Sequence, residues 1–137
     1  MKAMIIRESG EPSVFEAADL PVPEITPGQV LVRVAATSVN PVDWKIRKLG
    51  PPLGPDLPAV LQGDVAGVVE AVGADVSAFA VGHEVYGCAG GVKGTGGALA
   101  EFMACDGAYL APKPTNLSMT EAAALPLVCL TAWEGLV

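Results

Sequence analysis

The sequence predicts a mainly β domain with short helices, built as an irregular barrel and not as a parallel α/β sheet. Three observations carry that prediction. Short apolar runs follow one another at close spacing, and turn residues separate them: 16 Gly and 12 Pro are spread along 137 residues. The apolar share is 51% but only 5% is aromatic, so the core is drawn from Ala, Val, Leu and Ile. From Thr115 the texture changes to an Ala- and Leu-rich helical pattern at the C-terminal end.

Taken in order, "MKAMIIRE" and "VFEAADLP" are strand-like runs divided by "SGEPS", which predicts a hairpin turning near Gly10 and Pro12. "VPEITPGQ" is a connector. Residues 30–40, "VLVRVAATSVN", place Val30, Val32 and Val34 on one strand face and Leu31, Arg33 and Ala35 on the other. "NPVDWKIRKLG" predicts a short helix. Asn40 stands at the cap, Pro41 at the first helical position and Asp43 in the first turn. Lys45, Arg47 and Lys48 fall toward its C-terminal end, where they complement the helix dipole. Gly50 and the prolines of a rigid loop, "PPLGPDLPAVL", end it. Three further strands follow in "DVAGVVEAVG", "GHEVYGCAG" and "GALAEFMACD", and "AYLAPKP" completes the barrel. Ser118 with Glu121 three residues later forms a capping box. Pro126 interrupts that helix, and a second one runs to the last residue.

Charge narrows the partners. Fifteen acids against eight bases give a formal charge of −7, which disfavours nucleic acid and anionic membrane surfaces. The N-terminus has no secretory h-region, and no run is long enough to span a bilayer. Cys88, Cys105 and Cys129 are odd in number and widely spaced, forming neither a disulfide framework nor a CxxC zinc pattern. A cytoplasmic setting is expected.

Several motifs have modest readings. The loop "GGVKGTGG" matches neither GxxxxGK[ST] nor GxGxxG and precedes a strand, so it reads as a hairpin connection and not a phosphate cradle. His83, the lone histidine, reads as a turn residue. "NPVDWK" admits two readings: a capped surface helix, or an Asn40 amide and Lys45 ammonium facing a polar substrate, where lysine stabilises a developing enolate. Thr131 sits among apolar residues of the last helix.

In order, "VLVRVAATSVNPVDWKIR", "LPAVLQGDVAGVVEAVG", "VGHEVYG", "GALAEFM" and "LPLVCLTAWEGL" resemble the N-terminal part of a medium-chain dehydrogenase/reductase. The match is to the zinc-independent quinone oxidoreductase, or zeta-crystallin-like, branch. The resemblance implies a GroES-like substrate (catalytic) domain over residues 1–114. Residues 115–137 would form a helical connector to a dinucleotide-binding Rossmann domain, whose glycine fingerprint these residues lack. By that resemblance the chain is expected to be a fragment, inactive alone, of a parent that works as a homodimer with NADPH or NADH. Asn40, Lys45, Gln62 and Thr131 are implied near nicotinamide and substrate, with Asn40 and Lys45 as the catalytic pair. Many members of the branch carry a tyrosine where this chain has Lys45.

Zinc enzymes of the same superfamily hold their metal by a Cys, a His and a Cys at positions that here carry Asn40, Gly63 and Leu127. Cys129 is two positions off. The four-cysteine structural lobe is replaced by "CAGGVKGTGG". Both zincs are therefore expected absent, and the expected chemistry is reduction of a quinone or an α,β-unsaturated carbonyl. Rivals are an enoyl-thioester reductase, for which no basic cluster is evident, a zinc alcohol dehydrogenase, and a stand-alone non-enzymatic GroES-like binding module.

Overall fold

The computed structural model describes residues 1–50 and 54–137, so part of the expected rigid loop, residues 51–53, lies outside the described residues. The strands are β1 (Lys2–Ile6), β2 (Phe15–Asp19), β3 (Gln29–Thr37), β4 (Ala59–Val60), β5 (Asp64–Val72), β6 (Glu84–Cys88), β7 (Phe102–Asp106) and β8 (Ala111–Pro112). The helices are α1 (Pro41–Leu49), α2 (Met119–Ala123) and α3 (Pro126–Leu136). One sheet has the order β2-β1-β4 and the other β7-β3-β5-β6-β8, with antiparallel pairing throughout.

The expected N-terminal hairpin is present, in register from Lys2 opposite Asp19 to Ile6 opposite Phe15. The expected strand over residues 97–106 is corrected: its regular part begins only at Phe102. The residues before it cross between the two sheets. Leu99 O accepts from Met4 N–H at 2.9 Å, Glu101 N–H donates to Lys2 O at 3.0 Å, and Glu101 O accepts from Val34 N–H at 2.9 Å. One segment cannot stay in a single flat ladder while bonding β1 and β3, so it bends and closes the barrel.

β5 lies at the centre and is buried from Asp64 through Gly67. Val65 and Val69 enter the barrel core with Val30, Val32, Val85 and Met103. Ala66, on the other face, packs against Ala122 and Ala123 of α2. Coverage on both faces explains why this run lacks the polar alternation of a half-exposed strand. α1 inserts Ile46 against Ile6, Ala59 and Leu61, which fixes its N-terminal end beside the start of β5. α3 buries little beyond Pro126. No helix among the described residues is long and apolar enough to cross a membrane.

Candidate functional site

Four segments converge on a cleft of about 910 Å³: α1 along its length, Gly63 just before β5, the end of β6 with its following loop, and the first turns of α3. β3 delivers Ser38 and Asn40 to its edge. Pro41 then starts α1 with its preset φ, and Asp43 closes the capping box by accepting from Asn40 N–H at 2.6 Å. The Asn40 side chain turns inward. Its Nδ2 donates to Asp64 Oδ2 at 2.8 Å and to Ser38 Oγ at 3.1 Å.

Asp64 is fully buried. Its Oδ2 also accepts from the Ser38 hydroxyl at 2.7 Å, and its Oδ1 accepts from Leu127 N–H at 3.0 Å. A buried carboxylate needs donors or a counter-charge; this one has three donors and the positive end of α3. Burial, with the charge of Asp64 as a further cause, raises the Asp43 carboxyl above its ordinary value, against the pull of backbone bonds at Asn40 and Gly63. Cys88 stands opposite Asp64 in the β5–β6 register. Burial first, then the charge of Asp64 and a hydrogen bond to it, push the Cys88 thiol up to about 11.

Between these groups Gly63 has no room for a side chain. A Cβ there would lie 2.6 Å from the Gly90 carbonyl oxygen. The glycine loop approaches as closely one residue on: Gly91 has φ +74°, and a Cβ on it would stand 2.6 Å from the Gln62 carbonyl carbon. The loop is a packed connection between β6 and β7, closed on itself by the Thr95 hydroxyl donating to Val92 O at 2.8 Å.

Of the residues implied by the sequence, Asn40, Lys45 and Thr131 line this one cleft, whereas Gln62 is absent from its wall. Gln62 is buried behind Gly63, with its backbone at φ +76° and its Oε1 without a hydrogen-bond partner. That combination costs a few kcal/mol, of order 1–3 for the backbone alone. Among the described residues Lys45 is the one basic side chain on the cleft wall, and its Nζ lies 5.8 Å from the Trp44 ring centroid. His83 stays in its turn, its Nδ1 accepting from Ala80 N–H at 3.3 Å. Cys129 is exposed and does not line the cleft.

Asp64 and Cys88 carry the interior of the site; the sequence marks Asp64 only as the acid at the head of an apolar run, and Cys88 only as one of three widely spaced cysteines. The available signal was an acid opening an otherwise apolar run, because such an acid must find donors when both strand faces are covered. Among the described residues no group of three or more His, Cys, Asp or Glu is placed to hold a metal ion.

Residues 26–115 match the alcohol dehydrogenase GroES-like domain family. The chain is 44% identical to a 2-methylene-furan-3-one reductase of Solanum lycopersicum, matching 99% of this chain and 37% of that protein. It is 42% identical to an NADPH-dependent alkenal/one oxidoreductase, chloroplastic, of Arabidopsis thaliana, again over 37% of that protein. Its fold superposes with a TM-score of 0.92 and 47% identity on an alcohol dehydrogenase superfamily protein from Novosphingobium aromaticivorans, covering all of this chain and 41% of that one. The chain thus spans well under half the length of the relatives it matches.

Proposed function

The chain belongs to the alcohol dehydrogenase GroES-like domain family, and from that premise we propose that it forms the substrate side of a zinc-independent, NAD(P)H-dependent reductase of quinones or α,β-unsaturated carbonyls. Residues 1–114 act as the substrate domain and 115–137 as the connector to a dinucleotide-binding domain. The observation that carries the reading is the cleft itself: a mainly apolar chamber with a single ammonium, that of Lys45, on its wall.

The donor set does not fit a catalytic zinc. Asn40 offers only a weak ligand, its amide oxygen, Gly63 offers no side chain, and Leu127 is apolar. A histidine at position 63 would collide with Gly90 O. The walls do fit a flat, neutral nicotinamide ring, with Leu127, Val128 and the Thr131 hydroxyl on the α3 side. One basic residue is too few to hold a pyrophosphate, so the phosphates belong to the dinucleotide-binding domain. When bound, the nicotinamide supplies hydride.

The residues of this chain supply the rest. Lys45 donates to the substrate carbonyl oxygen and stabilises the negative charge that develops there. Val42, Ile46, Val92 and Leu127 exclude water, which strengthens that interaction. Cys88 keeps its proton, so an electrophilic alkene meets a thiol and not a thiolate. We place the protein in the cytoplasm on its unpaired cysteines, although the Arabidopsis relative is named as chloroplastic.

The test is Lys45→Met in the protein joined to its dinucleotide-binding domain. NADPH oxidation with an alkenone should lose about 10²-fold in kcat/KM. Parent-level turnover in the variant, or stoichiometric zinc in the purified protein, would sink the proposal.

A further inference from the structure

We propose that Asp64 is the positioning residue of the cleft: its carboxylate sets the Asn40 amide on one wall and seats the first turn of α3 on the other. The proposal rests on the reading of the cleft as a substrate site. The geometry is that of a hub. Oδ2 gathers Ser38 Oγ and Asn40 Nδ2 from the β3–α1 junction, at 2.7 and 2.8 Å, and Oδ1 takes Leu127 N–H at 3.0 Å. The main chain of the same residue is held as well, its carbonyl accepting from the Thr37 hydroxyl at 2.6 Å. The hub is therefore fixed at the start of β5, in its run of four consecutive buried residues.

Each wall depends on it differently. On α1, Asn40 needs an acceptor for its amide nitrogen, and Ser38 can serve only while Asp64 accepts the Ser38 proton. On α3, only Pro126 is buried, so the helix has little packing to fix its rotation. Leu127 and Thr131 are one turn apart and both face the cleft. Fixing Leu127 N–H therefore fixes where the Thr131 hydroxyl stands relative to Lys45.

Hydrogen exchange on the unmodified chain gives the first test. Leu127 and Val128 both lie in the first turn of α3, where a helix leaves its N–H groups without internal acceptors, but only Leu127 has the carboxylate. The Leu127 amide should exchange at least about tenfold more slowly than that of Val128. Equal rates overturn the proposal, and this holds even where a variant fails to fold. Asp64→Asn is the second test, since its new NH₂ group must face another donor. Leu127 protection should vanish and the Asn40 side-chain amide protons should lose theirs, while Val32 and Val69 keep parental rates. A folded variant with both signals unchanged refutes it. Finally, 2-cyclohexen-1-one is titrated against both forms, with Lys45 and Thr131 resonances as reporters. Binding at least about fivefold weaker in the variant supports positioning, and equal binding overturns it. An absence of shifts in the parent defeats the substrate reading of the cleft and leaves the exchange result to decide the role of Asp64.

Discussion

The Gly90 carbonyl oxygen stands 2.6 Å from where a Cβ at position 63 would be, and that distance makes the chemistry of the cleft hard to convert. Gly63→His should destabilise the fold by roughly 2 kcal/mol through overpacking, seen in thermal unfolding, and metal analysis should find no stoichiometric zinc. A stable, zinc-loaded variant would mean that the loop yields easily. At Cys88 the expected outcome is restraint: at neutral pH iodoacetamide should label exposed Cys129 well before Cys88, as read by peptide mass spectrometry. The folded-state thiol is raised from 9.0 to about 11, so its contribution to stability is complete below pH 9 and fades as pH rises through that interval. Cys105, raised to about 12, extends the decline. Thermal melts in alkaline buffers check both, and Cys88→Ala should flatten the earlier part. The cap at Asn40 was legible because it is a local pattern, whereas Lys45, Thr131 and Gln62 were implied by the resemblance. The acid at position 64 stood out at the head of its apolar run, but its partners, 24, 26 and 63 residues away, did not. Gln62 does not line the cleft, and its backbone has a positive φ.

Secondary-structure elements repeat that contrast between local and distant information. α2 could be read directly: Ser118 accepts from Glu121 N–H at 3.2 Å while the Glu121 carboxylate accepts from Ser118 N–H at 2.8 Å. Ser118→Ala should cost about 1 kcal/mol, and the melting temperature should drop by roughly 4 °C. Bonds from Ser118 hold the Glu121 carboxyl below its usual range. Its stabilising effect is therefore present at neutral pH and lost as pH falls through that range. An unchanged melt at neutral pH would show that Ala122 and Ala123 alone dock the helix. The entry into β7 was not readable. "GALAEF" has strand-like residues throughout, and only the demand to bond β1 and β3 together bends its first half out of the ladder. The same limit applied to β5, whose lack of alternation reveals a buried strand but not which helix covers its second face.

Across the whole molecule, a formal charge of −7 surrounds a cleft that, among the described residues, carries one cation, and the proposed reading gives that cation the task of drawing a substrate oxygen inward. Kinetics across salt concentrations check this. With an uncharged alkenone, turnover in the complete enzyme should change little between low and moderate ionic strength, because a short-range contact to Lys45 is screened less than long-range steering. Fold class followed from turn spacing, and the set of candidate site residues from the resemblance. The hub and the sheet crossing came only with the third dimension. The crossing also has a bearing on biosynthesis. β1 is made before the other described strands, and its hairpin partner follows at once, but the backbone bonds at Lys2 and Met4 wait for residues 99–101. Until residues 59–61 bring β4 alongside, Ile5 and Ile6, both buried in the finished barrel, have only a marginal two-stranded ribbon for shelter. β1 is therefore secured in two stages, and a chain stalled before residue 99 leaves its Lys2 and Met4 backbone groups open to a chaperone or a protease.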